Sequence, residues 1–243
     1  MRRASSSLLP FLIVAAVVLY FFWNQTSTPN RRTDRTFSSY PREAQTEHRR
    51  SERSERKAEV RAECSQLDVT CSSEYFGPWQ RPGVGDCSTR QRGGYLVPDP
   101  RCTPGGIDPS VTADVLRNRA WRTGCIRNCQ TSEAEKHITY RWYGLRVPRR
   151  NYGETQVCEL DHLVPLELGG ADGLGNIWPE CGPSAVAPDE RYFKIKDRVE
   201  NYLADEVKSG RMSLAAAQRG IASDWTQYLD AANRYCAAGG RCD

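Results

Sequence analysis

The chain has 243 residues, enough for one ordinary domain with extensions. Its net charge of +4 is carried before the domain: residues 64–243 hold 22 basic and 23 acidic residues, which excludes a domain that is basic over its whole surface. Ten cysteines, none before Cys64, argue against a reduced cytosolic domain.

In chain order, residues 1–7 form a basic tip with Arg2 and Arg3. Residues 8–23 are an unbroken apolar run, about 24 Å long as a helix at roughly 1.5 Å per residue. The run ends in Tyr20-Phe21-Phe22-Trp23, bulky rings that suit a membrane interface. They favour an uncleaved transmembrane helix over a cleaved signal peptide, which needs small residues at its cleavage site. Arg2 and Arg3 would hold the tip in the cytoplasm, and either reading exports the rest of the chain.

Residues 24–63 have ten Lys/Arg, seven Asp/Glu and almost nothing apolar to bury, and are expected to be a charged, disordered stalk. Residues 64–109 are rich in Cys, Gly and Pro and predict a loop-dominated, cross-linked subdomain. An even cysteine count beyond an export segment reads as a disulfide framework of up to five bridges. Zinc is the alternative, but Cys125 and Cys129 have no second close Cys/His pair nearby.

Residues 110–243 predict the main domain. A helix is expected over 111–122. A second, over 133–143, has Ser132 and Glu135 as a capping box. A strand is expected over 157–165 and a short one over 176–178, joined by the glycine-rich stretch 169–175. Helices follow over 189–208 and 213–235, the last with Leu214, Ala217, Ile221, Trp225 and Leu229 at helical spacing.

Residues 158–180, CELDHLVPLELGGADGLGNIWPE, are where chemistry concentrates. Asp161 and His162 are adjacent; a strand sends them to opposite faces, but a bent strand end can turn both toward one cleft. A carboxylate can hold a divalent cation against phosphate, a neutral imidazole can take a proton from water, and an amide such as Asn176 can fix a loop. That combination points to metal-assisted phosphodiester hydrolysis. Of the other histidines, His48 falls in the stalk and His137 in the capped helix, where a structural role is expected.

The segment resembles the motif of HNH endonucleases, in a branch with an Asp-His-(apolar)2-Pro-Leu-Glu-Leu-Gly-Gly core followed by Asn-(apolar)-Trp-Pro-Glu. Here it reads Asp161 to Gly170, then Asn176-Ile177-Trp178-Pro179-Glu180. The similarity continues through Lys196-Asp197-Arg198-Val199-Glu200 and residues 213–225, covering roughly residues 100–230. The resemblance implies an α+β fold with a ββα-metal hairpin-helix core, here with additional helices, a disulfide-stapled Cys-rich part and the amino-terminal transmembrane helix. It implies Asp161 as a metal ligand, His162 as general base and Asn176 as the brace of the loop that presents it.

Many members place a second ligand, Asn or His, at the start of the motif helix. Residues 189–197 contain neither, so Glu180 or Asp197 would complete the site. The cofactor implied is Mg2+, with Mn2+ or Zn2+ as alternatives, and the substrate is nucleic acid, DNA before RNA. Among the basic candidates Arg146, Arg149, Arg150, Lys194, Lys196 and Arg198, substrate contact is expected from Arg149, Arg150, Lys194 and Lys196. Cys158 and Cys181 bracket the motif and are expected to form a disulfide across the hairpin. The rival reading is an exported module of the same fold without catalysis. A membrane is the other partner implied, through residues 8–23; no protein partner is indicated.

Overall fold

The computed structural model describes residues 51, 52, 55 and 62–242. The chain divides into two units, Met1–Ser54 and Glu55–Asp243, and the elements below belong to the second. It is a mixed α+β unit knitted by disulfides.

The first stretch is built from short pairs and crosslinks. β1 (Glu74–Tyr75), β2 (Arg90–Arg92) and β3 (Tyr95–Val97) precede β4 (Gly106–Ile107); β1 pairs antiparallel with β4, and β2 with β3. The β2–β3 turn is Gly93–Gly94, both at positive φ (54° and 86°), as a two-residue hairpin turn demands. Strands of two or three residues bury little, and covalent bonds make up the difference: Cys87–Cys102 closes this stretch and Cys64–Cys125 ties it to the chain beyond.

The expected helix over 111–122 is α1 (Ala113–Arg117), capped by the Thr112 side chain and ended where Asn118 turns extended. The helix over 133–143 does begin with the Ser132–Glu135 capping box, but it divides at His137 into α2 (Glu133–Lys136) and α3 (Ile138–Trp142). β5 (Cys158–His162) pairs antiparallel with β6 (Ile177–Cys181), with Cys158 opposite Cys181 and His162 opposite Ile177. β5 ends sooner than its apolar sequence suggests, because the Val164 amide turns to the Asn176 side chain.

α4 (Tyr192–Lys208) packs against both strands. α5 (Leu214–Asp224) and α6 (Leu229–Ala237) replace the single helix expected over 213–235. The break is local: the Asp224 carboxylate accepts from the Thr226 amide and starts a tighter turn over Trp225–Tyr228. That turn buries Trp225, edge-on to Tyr95 at 5.1 Å. Val164, Leu166 and Leu168 after β5 join Val199, Leu203 and Val207 of α4 and Ile221 of α5 in the main core. Each such side chain contributes roughly 1.5–3 kcal/mol on full burial.

The expected fold class needs correction at its amino-terminal end. Among the described residues no helix is long and apolar enough to cross a membrane. α4, with 17 residues, carries charged side chains along its length. The apolar run 8–23 and residues 24–50 of the stalk lie outside the described residues, as does His48. Four disulfides assign the protein to an oxidising compartment outside the cytosol.

Candidate active site

The β5–β6 hairpin carries the site, and it is tied at both ends. At one end Cys158 and Cys181, directly opposed, form the expected disulfide. At the other, buried Asn176 uses its whole amide. Its Nδ2 donates to the carbonyls of Val164 and Ala171 (2.9 and 2.8 Å), and its Oδ1 accepts from the amides of Val164 and Gly106 (2.9 and 3.2 Å). The loop between folds back so tightly that a Cβ on Gly170 would lie 1.8 Å from the Val164 carbonyl oxygen, so only glycine fits there.

Strand alternation sends Asp161 and His162 to different partners. His162 is 5% exposed, and its Nε2 lies 3.1 Å from Asp172 Oδ1. Asp172 in turn is 2.7 Å from the Lys136 ammonium and accepts from the Thr131 amide at 3.4 Å. Burial works against the Asp172 carboxylate, but His162 and Lys136 outweigh it and hold its pKa below the ordinary value. An ionised Asp172 can only accept, which assigns the proton to Nε2 of His162 and the lone pair to Nδ1. Burial pushes the His162 pKa down, so the ring is neutral near pH 7.

Asp161 faces α4. Its Oδ2 is 2.7 Å from Lys196 Nζ, an ion pair without hydrogen-bond alignment. Lys196 also pairs with Glu200 one turn on and donates to the His162 carbonyl oxygen at 3.0 Å. Burial opposes this ammonium, but Asp161, Glu200 and Glu180 together hold its pKa well above the ordinary value. Glu180, fully buried on β6, contacts Asp161. As a carboxylate, neither of its oxygens finds a hydrogen-bond donor. Burial and then Asp161 push its pKa well up. Two carboxylates in contact need a proton or a cation between them.

Despite their opposite partners, Asp161 and His162 line one open cavity of about 90 Å³. Its wall also includes Glu159, Glu167, Asp197, Glu200 and, as its basic member, Arg127. Burial, then Asp161 and Asp197, raise Glu159 to about 7. Burial raises Asp197 too, although Lys194 sits 2.6 Å from it.

The expected site residues are therefore only partly united. Asp161, His162 and Asp197 line the cavity, Glu180 adjoins it through Asp161, and Asn176 lies behind it in the loop. Lys196, expected to touch substrate, is wholly buried and serves as an internal counter-ion. Lys194 is engaged by Asp197, and Arg149 and Arg150 are exposed on the segment between α3 and β5. Lys136, Asp172 and Glu200 were not expected. Glu200 had a readable signal, four residues from Lys196 on one helix face. Asp172 and Lys136, far apart in sequence, had none.

Among the described residues no group of three or more His, Cys, Asp or Glu side chains is arranged to hold a metal ion. Mg2+ commonly needs only one or two carboxylates, with water and substrate phosphate completing its shell. The Asp161–Glu180 pair, in which both Glu180 oxygens lack a donor, fits that requirement. Compared with protein-family models, curated proteins and solved structures, the chain matches none.

Proposed function

We propose that the protein is an exported, metal-dependent phosphodiesterase of the HNH endonuclease type, acting on nucleic acid and on DNA first. The observation that carries the reading is the shared cavity: a neutral, oriented imidazole and a carboxylate backed by an unsatisfied second one open onto the same space.

In this reading His162 Nδ1 accepts the proton of the attacking water, while Asp172 fixes the tautomer and stabilises the imidazolium that forms. Asn176 holds the loop that sets the ring's position. Asp161 and Glu180 would hold the divalent cation, Mg2+ or in its place Mn2+ or Zn2+, beside the Lys196 ammonium 2.7 Å from Asp161. When bound, the cation supplies charge stabilisation at the phosphate and the leaving oxygen. Arg127, at the cavity wall, and the exposed Arg149 and Arg150 offer local positive charge to a backbone. For the route of export we propose secretion, directed by residues 8–23.

A second reading draws on Lys196. Its ammonium already sits against Asp161 as a built-in cation, which favours an exported module that keeps the architecture without catalysis. Plasmid DNA incubated with the purified chain and Mg2+, Mn2+ or Zn2+ separates the two. Nicking that His162→Ala abolishes supports hydrolysis. Equal nicking by both proteins, or none with any of the metals, supports the module.

A further inference from the structure

Cys71 and Cys129 are the two cysteines outside the four disulfides. The structure brings them together. The chain around residues 64–73 runs beside residues 125–130 and is fastened to it at several points. Cys64 is bonded to Cys125 with their Cα atoms 5.4 Å apart. Cys71 Sγ lies 3.8 Å from the Cys125 carbonyl oxygen, and Ser73 Oγ donates to Gln130 Oε1 at 2.6 Å. Between these anchors the side chains of Cys71 and Cys129 meet. Cys129 is exposed, so a soluble reagent can reach the pair.

The same loop supports the histidine. Asn128 Oδ1 accepts from Lys136 Nζ at 2.8 Å, and the Thr131 amide donates to Asp172, which holds His162. Cys129 lies between Asn128 and Thr131, so anything that fixes it fixes both of these contacts.

We propose that Cys71 and Cys129 form a fifth disulfide by exchange with an external disulfide of the glutathione class, locking loop 128–131 beneath the His162–Asp172 pair. One cysteine thiolate attacks the donor's S–S bond and displaces a glutathione thiolate. The second cysteine's thiolate attacks the resulting mixed disulfide and displaces the other glutathione. One S–S bond is broken and one formed in the balance; two electrons pass from the protein to the donor, and the two thiol protons end on the released glutathiones. Burial, Cys71 and the carboxylates of Asp172 and Asp108 push the Cys129 thiol up, which slows any exchange that starts from this thiol.

The test is peptide mapping of the full chain after incubation with reduced or oxidised glutathione, alkylation under denaturing conditions and tryptic digestion without reduction. Cleavage after Arg127 and Lys136 releases residues 128–136, which carry Cys129 alone. Oxidation is expected to take the protein from two alkylatable thiols to none and to join this peptide to residues 62–90, with fragmentation placing the bond at Cys71 and not at Cys64 or Cys87 of the same peptide. Amide hydrogen exchange at Gln130 and Thr131 is expected to slow. A 128–136 peptide still alkylated after oxidation, stopped at the glutathione adduct or joined to another cysteine overturns the pairing; unchanged exchange overturns the lock. Because neither readout uses DNA cleavage, the result stands whichever way the nuclease assay falls.

Discussion

β5 separates two charged networks that obey different rules. On the His162 side, one buried carboxylate, Asp172, meets one buried ammonium, Lys136, which also reaches the exposed Glu133 at 3.4 Å, and the imidazole completes the buried set. Charges there balance, and the network holds a ring in one orientation. On the Asp161 side, the single ammonium of Lys196 faces Asp161, Glu200 and Glu180. Charges there do not balance, and Glu180 has carboxylate oxygens with no donor. A balanced network fixes geometry; an overcharged one leaves room for a further proton or cation. One strand carries both, which is what a hydrolytic site with a base and a metal needs.

Substitutions that change charge but keep size can break this contrast. The largest effect is expected from His162→Ala in the DNA assay, a fall of about 10²–10⁴-fold in cleavage with far-UV circular dichroism unchanged. For stability, Lys196→Met strands two buried carboxylates and is expected to cost about 3–5 kcal/mol in urea unfolding. Lys136→Met and Asp172→Asn should each cost less, about 1–3 kcal/mol, because Asp172 keeps His162 and the Thr131 amide in the first and Lys136 keeps Asn128 and Glu133 in the second.

Glu180→Gln should behave in the opposite way. It removes a carboxylate that has no donor and adds an amide beside Asp161, so stability stays within about 1 kcal/mol or rises, while stimulation of cleavage by Mg2+ is lost. A loss comparable to that of Lys196→Met would show that the two networks are alike after all.

Asn176→Ala, which unties the loop shared by both networks, should cost about 2–3 kcal/mol in the same unfolding measurement, most of it from stranded backbone groups of Val164 and Ala171. The smallest effect belongs to Asp99, away from both. Arg101 bonds its carboxylate and holds its pKa below the ordinary value. A depressed folded pKa stabilises the fold above the unfolded value of about 3.9, and that contribution disappears as pH falls through the folded value. With Arg101 well exposed, Asp99→Asn should lose no more than about 1 kcal/mol at neutral pH and should flatten the acid limb of a pH–stability profile.

The sequence made the ends of the hairpin legible because local chemistry specifies them. Cys158 and Cys181, the Asp-His pair and Asn176 all do their work within a stretch of about two dozen residues. The Ser132–Glu135 box likewise marked the start of α2. Helix breaks were hidden for the same reason in reverse: His137 and Asp224 are ordinary helix residues, and the chain turns there to bury Trp142 and Trp225 in separate places. Lys196 is the instructive miss. Taken alone it is a basic residue on a charged helix. Placed in order with Phe193, Val199, Leu203 and Val207 it falls on the buried stripe, and a lysine on such a stripe must have carboxylates waiting for it. The wall of acids was unreadable because Glu159, Glu167 and Glu200 reach the cavity from three different elements.

The Cys158–Cys181 bond has one more effect, on error rather than strength. A strand that slides by a single residue against its neighbour exchanges its two faces, and here that would turn the imidazole toward α4 and the aspartate toward Lys136. With opposed cysteines covalently joined, that slide is forbidden from the moment the bond forms. The sorting of acid from base across β5 is thus held by a covalent bond as well as by packing.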